Sequence, residues 1–152
     1  MPIKIENSTK YGVTEGQLVK TGLNLGTSAG DVDTTLNLPA ESIVDYVYIK
    51  PTSAAVIANF GTGDRMWISN IKVVVSGAGT MQLLNTDLAN TSNFLNNTRG
   101  IVIHAGTGPG ENAAAGLSDS TADIHLEVSV AGTVNTQPTV DVMVGYRTFD
   151  TS

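Results

Sequence analysis

Apolar and polar side chains alternate with period two along much of this chain, most cleanly over residues 122–149. In the first run Ile124, Leu126, Val128 and Val130 point one way and Asp123, His125, Glu127 and Ser129 the other, because successive side chains on a strand face opposite sides. Val140, Val142, Val144 and Tyr146 repeat the pattern. Both runs are rich in β-branched residues, and a helix would instead place its apolar positions every three to four residues. The loop at 132–138 joins them into a predicted hairpin, with Val130 opposite Val140 and Asp123 opposite Arg147. Such an apolar face must be buried, so earlier segments have to supply a covering sheet.

The earlier chain reads as further strands separated by turn signals. Residues 17–25 form a weak strand, and Val32, Thr34, Leu36 and Leu38 make one face of the next. A stronger strand at 43–50 carries Tyr46 and Tyr48 on one side and Val47 and Ile49 on the other, and Pro51 is expected to stop it. Residues 52–60 fit a short helix or a buried strand. A long strand over 65–76 contains Trp67, which simple alternation puts in phase with Ile71, Val73 and Val75 and hence in the core. Residues 80–84 return as its hairpin partner, 85–97 form a long connection anchored by Leu88, Phe94 and Leu95, and 100–104 add a short strand. About eight or nine strands with little helix predict an all-β β-sandwich, with a jelly roll favoured over an immunoglobulin-like topology. Residues 1–16 read as an extended N-terminal arm and 17–152 as a single β-sandwich domain.

Composition narrows the chemistry. The chain has 152 residues, no cysteine and a net charge of −6, and charged residues are 14% of it, against about 25% in an average domain. Its polar surface is therefore built from Thr, Asn, Ser and Gly. Between residues 73 and 146 Arg99 is the sole Lys or Arg, facing Asp87, Glu111, Asp119, Asp123, Glu127 and Asp141. Nucleic-acid binding needs a basic stripe that releases counterions from phosphates, so it is not expected. The start, Met-Pro-Ile-Lys-Ile-Glu, has no apolar signal core and no run approaches a membrane span, so neither a membrane partner nor a signal peptide is expected. Synthesis in the cytoplasm is the expectation that goes with that reading.

Four constellations invite a catalytic or ligand reading. Residues 26–30 spell G-x-S-x-G around Ser28, but a nucleophile elbow needs a helix next, and the residues that follow alternate as a strand. The glycines of 105–110 lack the Lys and helix of a phosphate-binding loop. Asp119 and Asp123 lack the spacing of a recognised calcium loop. Asp123, His125 and Glu127 share one strand face, yet side chains two apart on a strand are roughly 6.5 to 7 Å apart. Without ligands from a neighbouring strand they do not close around one cation. No catalytic, cofactor or metal residue is therefore assigned, and the protein is not expected to be an enzyme. An aromatic platform of Trp67, Tyr46 and Tyr48 is the alternative, that of a carbohydrate- or receptor-binding module at a fibre tip or in a lectin-like protein.

The opening Met-Pro-Ile-Lys-Ile-Glu, the Thr/Asn/Gly-rich β-segments such as residues 131–138, and the absence of Cys resemble small structural proteins of tailed-bacteriophage virions. In size the chain is similar to their capsid decoration, or cement, proteins. The resemblance implies a viral structural protein on the capsid exterior, a homotrimer clamping subunits of the major capsid protein of the phage shell, with no cofactor. The arm at 2–11 would be the clamp, through Ile3, Lys4, Ile5, Lys10 and Tyr11.

Overall fold

The computed structural model describes residues 13–75, 79–84, 95, 98–104 and 121–149. Among the described residues there are ten strands: β1 (Val13–Asn24), β2 (Gly30–Leu38), β3 (Ser42–Ser53), β4 (Val56–Ile57), β5 (Arg65–Val75), β6 (Gly79–Leu84), β7 (Ile101–His104), β8 (Ala122–Ala131), β9 (Val134–Thr136) and β10 (Thr139–Phe149). One 3-10 turn, Phe60–Thr62, precedes β5. The first sheet has the order β1-β10-β3-β7 and the second β2-β8-β5-β6, while β4 and β9 pair as a small ribbon. Every pairing is antiparallel. The fold class is thus the β-sandwich that the alternation predicts.

The core lies between the two sheets. Val47 and Ile49 of β3 and Val140, Val142 and Val144 of β10 line it from the first sheet. Met66, Ile68, Ile71 and Val73 of β5 and Ile124, Leu126 and Val128 of β8 line it from the second. These form one continuous buried cluster. The alternating faces are therefore buried as expected, but the C-terminal hairpin is not formed. β8 pairs with β2 and β5, and β10 pairs with β1 and β3. The two runs belong to opposite sheets, and the loop between them carries β9, which crosses to β4. Period-two patterning marks which face of a strand is buried and says nothing of its neighbour, so both arrangements suit the same sequence.

Two further expectations change. Pro51 does not end its strand: β3 runs to Ser53, with Pro51 buried opposite Val140 beside a register shift at Thr139/Val140. A bulge takes up the ladder position that proline cannot fill. Trp67 does not face the core. A shift between Ile68 and Asn70 inserts an extra residue into β5, so Met66 and Ile68 before it and Ile71 and Val73 after it are all buried. Trp67 lies opposite Ser129 on the outer face.

β2 also bulges. Asp33 pairs with His125 and Asn37 with Asp123, so β2 spans with four steps what β8 spans with two. Thr35 takes a positive φ of 62° in the bulge. Buried Thr34 donates to the Ile124 carbonyl at 2.7 Å and accepts from the Leu36 amide at 3.2 Å, restoring ladder bonds that the bulge removes. Asp33 and Asn37 are thereby both left on the outer face beside β8.

Candidate functional site

The outer face of the first sheet gathers one cross-strand row of apolar side chains. Val19 lies opposite Met143, Met143 opposite Tyr48, and Tyr48 opposite Val102, so the row runs over all four strands. Its two ends are the most open, Val19 at 58% and Val102 at 52% exposure. Both sit on edge strands, where an apolar side chain with no cover favours contact with another surface.

Beside the row, tyrosines lie over glycines. Gly145 is directly opposite Tyr46 and Gly16 directly opposite Tyr146. In each pair a Cβ on the glycine would fall inside the tyrosine ring, and Gly100 stands in the same relation to Tyr48. With its ring across Gly145, Tyr46 reaches to β1, where its hydroxyl accepts from Gln17 Nε2 at 2.9 Å. These residues border a depression of about 470 Å³ lined by Glu15, Gly16, Gln17, Asp45, Tyr46, Gly145 and Tyr146. At its rim Arg147 Nε donates to both oxygens of Asp45, at 2.9 and 3.0 Å. That hydrogen-bonded pairing holds the guanidinium above its ordinary pKa. Arg147 therefore pairs with Asp45 of β3, not with Asp123 as the predicted hairpin required.

The outer face of the second sheet is polar. Lys72 of β5 reaches across β8 to Asp31 of β2 at 2.7 Å and to Glu127 at 3.2 Å. Its pKa is raised, first by the hydrogen bond to Asp31, against the opposing effect of burial. A group raised in the fold stabilises it fully below its unfolded value of 10.5 and loses that contribution as pH climbs through the folded value. The protein should therefore lose stability from about pH 10.5 upward. Lys72→Met, followed by thermal melts across that range, should flatten the dependence; an unchanged slope would contradict the network.

The aromatic residues of the alternative platform are divided between these faces. Tyr46 and Tyr48 lie on the outer side of the first sheet and Trp67 on the outer side of the second, so one ligand cannot stack on all three. Ile3, Lys4, Ile5, Lys10 and Tyr11 lie outside the described residues. So does all of the proposed arm except its last four residues, which open β1. Ser28 sits in the turn between β1 and β2, and a strand follows it. Val19, Met143 and Val102 were not singled out from the sequence. Their signal is an apolar residue on the polar side of an alternating strand, as at Val19 beside the inward Leu18.

No protein-family model matches the chain. No curated protein matches it either. Among solved structures it is similar to a chain of the "Cyanophage Pam1 capsid asymmetric unit", at 18% identity and a TM-score of 0.47, covering 90% of this chain and 84% of that one. A likeness at this level carries neither fold nor function across. Among the described residues, no helix is long and apolar enough to cross a membrane.

Proposed function

We propose that this protein is a non-enzymatic structural protein of a tailed-bacteriophage virion. In this reading it is a jelly-roll decoration, or cement, protein on the capsid exterior, a homotrimer that holds neighbouring copies of the major capsid protein. The row Val19–Met143–Tyr48–Val102 carries the binding half of the proposal. It is an apolar stripe across a whole sheet face, the kind of surface that is costly to leave in water and gains from a protein partner. β1, the edge strand that presents Val19, follows the arm at 2–11 in the chain, and the arm is proposed as a second contact with the same partner. The phage assignment rests on the resemblance in composition.

The strand order supports the jelly roll. With β4 and β9 left out and the remaining eight strands counted in chain order, the sheets read 1-8-3-6 and 2-7-4-5. β5 to β6 is the one connection between these eight that stays within a sheet. That is the interlocked pattern of a double-sheet jelly roll.

The test is attachment to phage shells prepared without the protein, measured by co-sedimentation, with light scattering for the trimer. Native protein should bind, and a chain with Val19→Lys and Met143→Lys should bind at least tenfold more weakly while its melting temperature is little changed, since both positions are on the outer face. Deletion of residues 1–11 should also weaken binding. Attachment indifferent to the face changes would remove the stripe from the argument, and a monomer at micromolar concentration would remove the trimer.

One observation favours a second reading, a carbohydrate-binding module. Tyr46 borders a depression with Glu15, Gln17 and Asp45, and an aromatic face with amide and carboxylate neighbours suits a sugar. Glycan binding lost in Tyr46→Ala but kept in Trp67→Ala would select this reading.

A further inference from the structure

Asp33, Asp123 and His125 converge on the outer face of the second sheet. A carboxylate oxygen of each aspartate and a nitrogen of the imidazole all lie within 4.8 Å of one another. From the sequence, Asp123 and His125 are two apart on one strand and need a ligand from elsewhere. The structure supplies it from β2, where Asp33 stands directly opposite His125. We propose that these three side chains form a site for a divalent transition-metal ion, zinc by chemistry, which ties edge strand β2 to β8 at the bulge.

The groups around the cluster are those a metal site needs. His125 presents its two nitrogens to different carboxylates: Nε2 is 3.9 Å from Asp33 Oδ2, and Nδ1 is 3.6 Å from Asp31 Oδ2. Nδ1 is sealed from solvent and makes no hydrogen bond. A small turn of the ring toward Asp31 would let Nδ1–H donate, leaving the lone pair of Nε2 for the metal. Carboxylate support of the second nitrogen is what orients metal-bound histidines. Asp31 is itself held by Lys72 at 2.7 Å. The aspartates are braced as well: Asn37 Nδ2 donates to Asp123 Oδ1 at 3.0 Å, and the Thr35 amide donates to Asp33 Oδ1 at 2.7 Å. In each aspartate one oxygen is thus held by the protein and the other is available to a cation.

Donor type decides which cation. Ligand atoms at roughly 2.0 to 2.1 Å from a tetrahedral zinc are about 3.3 Å apart, so the cluster closes by about 1.5 Å at most. An imidazole with two carboxylates suits zinc and its neighbours among the transition metals, whereas calcium takes oxygen ligands in larger number. Three protein ligands leave a fourth position for water.

The test is titration of the native protein, stripped with a chelator, with zinc chloride alone, followed by calorimetry and by the imidazole nitrogen resonances. The chain has only two histidines, His104 and His125, and no cysteine, so the spectrum is simple to assign. Zinc should shift the His125 resonances, leave those of His104 in place, and raise the melting temperature. His125→Ala and Asp33→Asn should each remove binding, His104→Ala should not, and Asp31→Asn should weaken it by about 10- to 100-fold. Absence of zinc binding by the native chain would overturn the site, as would a zinc complex that leaves the His125 resonances unmoved. The resonance measurement needs no variant, so a substitution that fails to fold cannot obscure the answer.

Discussion

Leu126→Ala should cost about 2–5 kcal/mol of folding stability, read from the midpoint of a urea transition with an unchanged slope. Leu126 has no exposed surface and sits on β8, an interior strand paired with Val32 on one side and Ile71 on the other. Its strand is hydrogen-bonded on both sides, to β2 and to β5, which limits collapse into the cavity and places the cost above that of simple transfer to water. Domains of this kind have a total stability of about 5–15 kcal/mol, so one substitution removes a large fraction of it. The same change at Val19, exposed on the outer face, should leave the midpoint almost unmoved. If Leu126→Ala cost no more than the change at Val19, the assignment of β8 to the interior of the second sheet would fail.

What was legible in the sequence was the facing of strands, and what was not was their partnership. Ile124, Leu126 and Val128 alternate with Asp123, His125 and Glu127, and the buried face follows directly. Val140, Val142 and Val144 do the same. The loop between the runs resembles a hairpin loop because a link that crosses between sheets also needs only turn residues and a few strand positions. Only the intervening pairing of β9 with β4 distinguishes the two, and Val56 and Ile57 have no pattern of their own long enough to announce it. Trp67 failed for a different reason. Alternation counts correctly up to a bulge and inverts beyond it, and the bulge at Ser69 and Asn70 has no glycine to mark it. The candidate metal cluster was half legible: Asp123 and His125 stood on one face, but Asp33 came within reach because the β2–β8 register places it there. The stripe on the first sheet was illegible, since it joins four strands whose order is set by the whole fold.

Gly145→Val should destabilise the protein by about 1–3 kcal/mol and unseat Tyr46. Valine is favoured in strands over glycine, so intrinsic preference alone would predict a gain at this position. The opposite is expected because a Cβ at Gly145 falls within the Tyr46 ring. The ring crosses Gly145 on its way from β3 to β1, and its hydroxyl is bonded to Gln17 at 2.9 Å. Pushing it outward breaks that bond and exposes the glycine's backbone, which the aromatic face covers. The two positions are directly opposite, so their effects should not add. Tyr46→Ala with Gly145→Val should be more stable than Gly145→Val alone, because the space the valine needs is then vacant. The cycle is measured by urea denaturation of the four chains. Additive costs would mean that the ring does not lie on the glycine, and the depression beside the apolar row would lose its wall. A strong coupling with recovery in the double variant would instead make Gly145 the position that lets Tyr46 lie flat, which is the condition for either a capsid partner or a sugar to meet an aromatic surface there.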